Sequence, residues 1–328
     1  MQAHVIREFG PASVFQSCEL PLPAVQPGQV LIRVEATSVN PLDCKLRSGA
    51  VPMLAADFPA VLHGDVAGVV VEVGAGVTRF SVGDEVYGCA GGIKGHGGAL
   101  AEFMPADARL IALKPRSLSF AEAAALPLVA ITAWQALIDK AGVGEGDRVL
   151  VHGGAGGVGH IAVQLAKWKG AAVFATVSSD KKQELVREFG AHPINYRQSD
   201  PAAYVESCTG GKGFDIVFDT VGGDVLNQCF QAAAVGGTVA SIGATQSYDL
   251  TPVLFKALSL HGVLMLVPML YGSGAQRHGE ILEKLAELAD AGHLKPLVDP
   301  RRFTFDQVAD AHRHWESGDA IGKIVITR

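Results

Sequence analysis

The pattern of apolar and polar residues divides the chain into a first part of short strands and a second part in which strands and helices alternate. From Gln2 to about Arg116, apolar residues recur with a period of two and glycines separate the runs, as in residues 30–35. This alternation is typical of a turn-rich β unit. A helical spacing begins near Leu118, where Ser119 is the predicted N-cap and Glu122 its capping-box partner.

The second part predicts a parallel sheet with helices on both faces. Six β-type runs are separated by helical patterns, which favours a doubly wound α/β domain. The runs are residues 148–152, 172–177, 193–196, 214–219, 238–242 and 263–267. A helix over 281–291 ending at Gly292 and a β-type run at 322–326 follow. We expect this tail to fold back on the N-terminal unit.

A glycine-rich segment after the first of these runs predicts a dinucleotide site. Gly154, Gly156 and Gly159 match G-x-G-x-x-G, and the apolar residues before and after them predict a strand, a tight turn and a helix. The glycines allow the turn, the approach of a pyrophosphate and close helix–strand packing. The helix N-terminus offers N–H groups and a positive dipole end to the phosphates.

The end of the second run indicates which dinucleotide binds. An NAD-selective site usually places Asp or Glu there, about 20 residues after the glycines, whereas this chain has Ser178. Ser178 and Ser179 are neutral donors, and Lys182 follows in the next helical turn, so the site favours the 2′-phosphate of NADPH. Asp180 is an alternative acid, but the following helical pattern favours an N-cap role for it.

Composition excludes several classes of function. The net charge is −6 and the basic residues are scattered, which argues against nucleic acid as a partner. The five cysteines are far apart and never form a C-x-x-C pair, so neither a disulfide framework nor a structural zinc lobe is expected. No apolar run approaches the ~18 residues of a membrane span. We therefore expect a cytoplasmic protein without membrane contact.

Several motifs together resemble the zinc-independent quinone oxidoreductase branch of the medium-chain dehydrogenase/reductase superfamily. The resemblance implies a GroES-like β-rich catalytic domain from residues 1–120 and 265–328, and a Rossmann NADP-binding domain from residues 121–264. The motifs are Ser38-Val-Asn-Pro-Leu-Asp43, Arg47-Ser-Gly49, Asp65-Val-Ala-Gly68, Leu126-Pro-Leu-Val-Ala-Ile-Thr-Ala-Trp134 and His152-Gly-Gly-Ala-Gly-Gly-Val-Gly159.

Comparison with zinc dehydrogenases of the superfamily implies that the catalytic zinc is missing. The three positions that hold zinc ligands there correspond to Asn40, Gly64 and Leu128, and none of these side chains is a zinc ligand. An alternative metal site remains open, because the same region contains other residues of ligand type: Asp43, Cys44, His63 and Asp65.

The resemblance also implies the roles of individual residues. Asn40, Asp43 and Thr132 are the predicted catalytic residues, and Arg47 is a candidate partner of Asp43. Val51 stands where the branch usually has a tyrosine, so the proton must come from solvent or another group. His96 is a candidate donor, because it is the only imidazole in the glycine-rich segment from Cys89 to Gly98. Besides the glycine loop with Gly157 and Val158, cofactor contacts are predicted for Asn40, Thr132, Tyr196, Ile242, Gly243 and Leu266.

These expectations define an NADPH-dependent, zinc-independent reductase. Its predicted substrate is a quinone or an α,β-unsaturated carbonyl, to which hydride or electrons are transferred, and the family resemblance suggests a homodimer. Two alternatives stay open: a zinc-type alcohol dehydrogenase with displaced ligands, and a cofactor-binding structural or regulatory protein like the lens crystallins of this branch.

Overall fold

Short antiparallel strands and two helices form the first 128 residues, as the alternating pattern predicts. Ser119 Oγ accepts the N–H of Glu122, whose carboxylate accepts the N–H of Ser119, which confirms the predicted capping box. The strands are β1 (Gln2–Ile6), β2 (Gln16–Glu19), β3 (Gln29–Ser38), β4 (Ala60–Val61), β5 (Asp65–Val73), β6 (Glu85–Cys89), β7 (Phe103–Asp107) and β8 (Ile111–Leu113); the helices are α1 (Pro41–Ser48) and α2 (Phe120–Ala124).

Six parallel strands follow, with the order β11-β10-β9-β12-β13-β14 in the sheet. This is the doubly wound order, in which the carboxyl ends of all strands meet at one edge. The helices are α3 (Pro127–Trp134), α4 (Gly157–Trp168), α5 (Asp180–Glu188), α6 (Pro201–Thr209), α7 (Val225–Ala232) and α8 (Thr251–Phe255); the strands are β9 (Arg148–His152), β10 (Ala172–Val177), β11 (His192–Asn195), β12 (Phe214–Asp219), β13 (Ala233–Ser241) and β14 (Ser259–Gly262).

Two strands differ from the prediction. The sixth is β14, which ends at Gly262, so the prediction of a strand over 263–267 is wrong. The chain leaves the sheet there because Pro268 lies in the first turn of a helix that begins at Val267. The fifth strand begins at Ala233, five residues earlier than predicted, since Gly236 and Gly237 interrupt the apolar pattern at a register shift.

The last 63 residues return to the first part of the chain. They contain α9 (Val267–Tyr271), α10 (Ala275–Asp290), β15 (Phe303–Thr304), α11 (Val308–Glu316) and β16 (Val325–Thr327). Helix α10 begins six residues before the predicted start, and Gly292 follows its end with φ +76°. Strand β16 pairs with β3, with Ile326 opposite Thr37, so the expected return of the tail is confirmed.

The computed structural model describes all 328 residues, which form two compact units: residues 1–128 with 266–328, and residues 129–265. In the first unit, β3 is the central strand, pairing with β5, β7 and β16. In the second, aromatic and aliphatic residues such as Phe214, Phe230 and Leu226 form a core against the sheet. None of the helices is both long and apolar enough to cross a membrane.

Candidate active site

The glycine loop joins β9 to α4 at the carboxyl edge of the parallel sheet. Gly156 is the N-cap of α4, which confirms the predicted sequence of strand, turn and helix. A Cβ atom on Gly154 would lie 2.5 Å from the Cβ of Ala175 on β10, and one on Gly159 would overlap the carbonyl oxygen of Gly153. Because the first N–H groups of a helix have no intrahelical partner, Gly157, Val158 and Gly159 present donors suited to an anion.

Ser178 and Ser179 link β10 to α5 at the same edge. Ser179 is the N-cap of α5, and its hydroxyl accepts the N–H of Lys182 at 3.5 Å. The prediction that Asp180 is the N-cap is therefore wrong. Ser179 has extended dihedral angles, whereas Asp180 already lies in the helix, where its carboxylate accepts a bond from Gln183 Nε2 at 2.8 Å.

The next strand brings further residues beside these serines. Tyr196 is 52% exposed and donates its N–H to the carbonyl of Val177, the residue before Ser178. Arg197 follows and is exposed. The sequence analysis overlooked Arg197, although a cation two residues after a strand that pairs with β10 is a detectable signal. Lys182 is half-buried on α5.

Asp219, at the end of β12, organises the loops on the other side of the glycine loop. Its carboxylate accepts the N–H groups of Val221 and Gly222 at 2.9 and 2.8 Å, and the Ser241 hydroxyl at 2.7 Å. Ser241 Oγ in turn accepts the N–H of Gly243 at 3.1 Å. The backbone at Ile242 and Gly243, two predicted cofactor contacts, is thus held by a buried carboxylate that the sequence analysis missed.

His152 is a second buried polar residue at this edge. It pairs with Asp219 across neighbouring strands, and its Nε2 has no hydrogen-bond partner. Burial lowers the pKa of His152 to about 4, with Asp219 opposing the shift, so the imidazole is neutral near pH 7.

Two further predicted contacts lie in different units. Thr132 is 4% exposed and lies in α3, within residues 129–265. Leu266 is also 4% exposed but belongs to the unit that includes residues 266–328. The expected position of Leu266 at a strand end is wrong, because it immediately precedes α9.

A buried polar cluster lies where β3 ends and α1 begins. Asn40 is fully buried, and its Nδ2 donates to Asp65 Oδ2 at 2.8 Å, while its Oδ1 accepts a bond from Lys323 Nζ. Asp65 also accepts the Ser38 hydroxyl and the N–H of Leu128, each at 2.8 Å. The carboxylate of Asp65 is therefore satisfied on both oxygens.

Asp43 lies in the first turn of α1 and accepts the N–H of Asn40 at 2.7 Å. Burial raises the pKa of Asp43 to about 7, and the nearby Asp65 carboxylate adds to the shift. The predicted pairing of Asp43 with Arg47 is wrong, because Arg47 reaches α11 instead and forms an ion pair with Glu316.

The donor geometry of this region does not fit a zinc ion. Cys44 Sγ lies 3.3 Å from Nδ1 of His312, whereas His63 Nε2 lies 2.9 Å from Nε2 of the same ring. The thiol and the His63 imidazole thus contact opposite sides of His312 and do not converge on one point, as tetrahedral coordination requires. No group of three or more His, Cys, Asp or Glu residues is arranged to hold a metal ion.

The predicted proton-donor region is packed through glycines. His96 is half-buried and its Nε2 bonds the carbonyl of Met269 at 3.1 Å. A Cβ on Gly91 would overlap the carbonyl oxygen of Gly97, and one on Gly92 would lie 2.6 Å from the backbone of His63, so these two glycines serve close backbone packing, whereas Gly95 and Gly97 have open space around them. Val51, at the usual tyrosine position, precedes a short 3-10 turn.

Two family models match the chain in the regions just described. One is the alcohol dehydrogenase GroES-like domain, over residues 26–116, and the other is the zinc-binding dehydrogenase family, over residues 157–276. The chain is 37% identical over 335 residues to a 2-methylene-furan-3-one reductase of Solanum lycopersicum, covering 99% of this chain and 79% of that protein.

Other comparisons agree with these matches. A chloroplastic NADPH-dependent alkenal/one oxidoreductase of Arabidopsis thaliana is 34% identical over 334 residues, covering 99% of this chain and 79% of that one. The solved structure of a quinone oxidoreductase from Coxiella burnetii superposes with a TM-score of 0.85 and 32% identity, covering 100% and 99% of the two chains.

The fold, the glycine loop and these similarities define the chain as an oxidoreductase with a nicotinamide cofactor. It belongs to the medium-chain dehydrogenase/reductase superfamily, in the quinone oxidoreductase branch, and combines a GroES-like domain with a Rossmann domain.

Proposed function

We propose that this protein is an NADPH-dependent, zinc-independent reductase of quinones or α,β-unsaturated carbonyls. The observation that carries the coenzyme choice is the carboxyl end of β10, where Ser178 replaces the usual acid and Lys182 and Arg197 stand nearby. An Asp or Glu there would repel a 2′-phosphate, whereas hydroxyl, ammonium and guanidinium groups bind it.

NADPH, when bound, supplies a hydride. The residues of this chain bind and orient the coenzyme and the substrate, and they stabilise the charge that develops during the reaction. The glycine loop and the first turn of α4 hold the pyrophosphate, and Ser178, Ser179, Lys182, Tyr196 and Arg197 face the adenosine end. We assign the nicotinamide end to Asn40, Thr132, Ile242, Gly243 and Leu266.

Reduction of an enone places negative charge on its carbonyl oxygen, and fixed donors stabilise that charge. We assign this role to the Asn40 region, where Asp43 holds the Asn40 backbone and Lys323 and Asp65 hold its amide. His96 or water supplies the proton that the product requires, since Val51 has no hydroxyl. The enone class is favoured because the two curated relatives are named for a methylene-furanone and for alkenals and alkenones.

The donor set supports the proposal of zinc independence. None of the three residues at the zinc-ligand positions is a zinc ligand: Asn40 has an amide, Gly64 has no side chain and Leu128 has an aliphatic side chain. The nearby Asp65 carboxylate already accepts hydrogen bonds on both oxygens.

The parallel sheet has an exposed edge suited to a second copy of the chain. Strand β14 pairs only with β13, and Leu260 on it is 38% exposed. Leu254 and Phe255 on the preceding helix are 78% and 81% exposed. Unpaired edge strands beside apolar side chains are prone to pair with another chain. We therefore assign a homodimer to this edge.

The five cysteines of the chain are all free thiols, which is typical of a reducing compartment, and we therefore assign the protein to the cytoplasm.

The test is oxidation of NADPH and NADH by metal-stripped protein against a benzoquinone, a naphthoquinone, an enone and a simple aldehyde. NADPH-specific reduction of a quinone or enone without metal is the expected result. Aldehyde reduction that appears only after zinc is added would overturn the proposal in favour of a zinc-type alcohol dehydrogenase. Tight NADPH binding with no turnover of any acceptor would instead indicate a cofactor-binding protein of the crystallin type.

A further inference from the structure

Lys323 is a buried cation that none of the sequence motifs identified as functional. Its side chain is 3% exposed, and its Nζ donates to the carbonyl of Val39 at 3.0 Å and to Asn40 Oδ1, and lies 3.6 Å from Asp65 Oδ2. An ammonium so removed from water is costly unless it is paired and hydrogen-bonded. Asp65, Asn40 and Val39 supply that compensation.

The backbone holds Lys323 in place. Its N–H donates to the carbonyl of Leu297 and its carbonyl accepts the N–H of Asp299, each at 2.8 Å. Gly322 has φ +72°, and a Cβ there would overlap the Leu297 carbonyl oxygen. The chain on both sides of Lys323 therefore fixes the point from which the side chain reaches Asn40.

The charges on either side determine how the Asn40 amide is oriented. An ammonium only donates hydrogen bonds and a carboxylate only accepts them. Oδ1 of Asn40 must therefore face Lys323, and Nδ2 must face Asp65. Reversing the amide would place its NH₂ against the ammonium and its oxygen against the carboxylate, which leaves both buried charges without these partners.

Two residues at positions that hold zinc ligands in the zinc dehydrogenases form hydrogen bonds to Asp65 instead. Asn40 Nδ2 and the N–H of Leu128 both donate to its carboxylate, on different oxygens. The positive charge that balances this carboxylate comes from Lys323, more than 250 residues further along the chain.

We infer that Lys323 is the cation that balances the buried Asp65 carboxylate of this site. It is also a positioning residue for the reaction, because it holds the Asn40 amide in one orientation against Asp65. The inference rests on the proposed function for its effect on turnover, but the orientation of the amide is independent of it. The residue does not contact substrate in this role; it acts through Asn40.

The decisive variant is the double substitution Lys323→Met with Asp65→Asn. Lys323→Met alone leaves an unpaired buried carboxylate, so we expect a strong loss of stability. The double variant keeps the test decisive even where the single variant does not fold. The double variant removes both charges and should regain most of the stability. Its kcat should nevertheless remain at least about 10-fold below wild type, with the KM for NADPH little changed, since the amide is no longer held.

A matched control comes from another buried lysine of the same unit. Lys114 is 7% exposed and its Nζ lies 3.2 Å from Glu85 Oε2. The pair Lys114→Met with Glu85→Gln should leave kcat unchanged. Recovery of kcat together with stability in the Lys323→Met, Asp65→Asn variant would overturn the inference.

A second readout does not depend on activity. Hydrogen exchange of the Asn40 side-chain amide, followed by NMR on ¹⁵N-labelled protein, should be slow in wild type and accelerate at least about 10-fold in the double variant. Unchanged exchange would overturn the positioning role. If wild type reduces no acceptor, the proposed function fails, whereas this exchange measurement still decides the role of Lys323.

Discussion

The Nε2 atoms of His63 and His312 lie 2.9 Å apart, both fully buried, so one proton lies between them. Arg47 Nε donates to His312 Nδ1 at 3.3 Å, and because a guanidinium only donates, neutral His312 carries its proton on Nε2. His63 must then accept at Nε2 and carry its proton on Nδ1, which lies 3.3 Å from Thr37 Oγ1. Thr37 donates to the carbonyl of Asp65 at 2.6 Å. All hydrogen bonds of this chain therefore donate in the same direction, from Arg47 towards the Asp65 carbonyl.

This arrangement makes the protein sensitive to acid. Burial lowers the pKa of His63 well below its usual value, with His312 adding to the shift, and burial together with Arg47 lowers the pKa of His312 to about 3. Between that value and about 6.5, the unfolded chain binds more protons than the folded one, so stability falls as pH falls through this window.

We therefore expect His312→Gln to reduce the slope of unfolding free energy against pH by about 1.4 kcal/mol per pH unit in this window, which is the effect of one proton. Urea unfolding between about pH 4 and 5.5, well inside this window, measures the slope. His293→Gln, at an exposed histidine, is the control and should leave it unchanged. An unaltered slope in His312→Gln would contradict the assignment.

Lys182→Ala and Arg197→Ala should each weaken NADPH binding by about 10-fold or more, because each would remove the charged hydrogen bond that we assign to the 2′-phosphate. NADH lacks this phosphate, and its dissociation constant should change little. Fluorescence titration with both coenzymes checks the difference. Arg187→Ala is the control, since Arg187 lies on the same helix but pairs with Glu184. Equal weakening of both coenzymes would show that the cations do not bind the phosphate.

Gly159→Ala should weaken binding of both coenzymes by at least about 10-fold, because the methyl group would collide with the Gly153 carbonyl and displace the first turn of α4. Gly144→Ala provides the comparison, since the nearest atom to its Cβ is Asp147 Oδ2 at 4.0 Å. Titration with NADPH and NADH, together with thermal unfolding, separates loss of binding from loss of the fold. Wild-type affinity in Gly159→Ala would exclude the glycine loop as the pyrophosphate site.

If the proposed dimer forms through β14, Leu260→Lys should make the protein monomeric, because a lysine on the exposed edge of β14 opposes pairing with another strand. Sedimentation equilibrium measures the mass of the wild-type and variant proteins. Val82→Lys changes a residue that is 66% exposed in the other unit and should leave the mass unchanged. A monomeric wild type, or a variant that stays dimeric, would refute the assigned edge.

Features that depend on residues close together in the chain could be predicted before the fold was known. The glycine loop was recognisable because its glycines, strand and helix are contiguous, and steric demands at Gly154 and Gly159 act over a few residues. Four of the six parallel strands could be placed with at most one residue of error, since apolar runs between helical patterns have few alternatives. The replacement of the acid by Ser178 was visible for the same reason.

The residues that complete the polar cluster are distant in the chain and could be identified only in the folded protein. Lys323, His312 and Glu316 reach Asn40, His63 and Arg47 across about 250 residues or more. No local pattern encodes these pairs, because they arise from the pairing of β16 with β3 and the packing of α11 in the same unit. A buried charge takes the partner that the fold brings within reach, which is why Arg47 pairs with Glu316 rather than with Asp43 on its own helix.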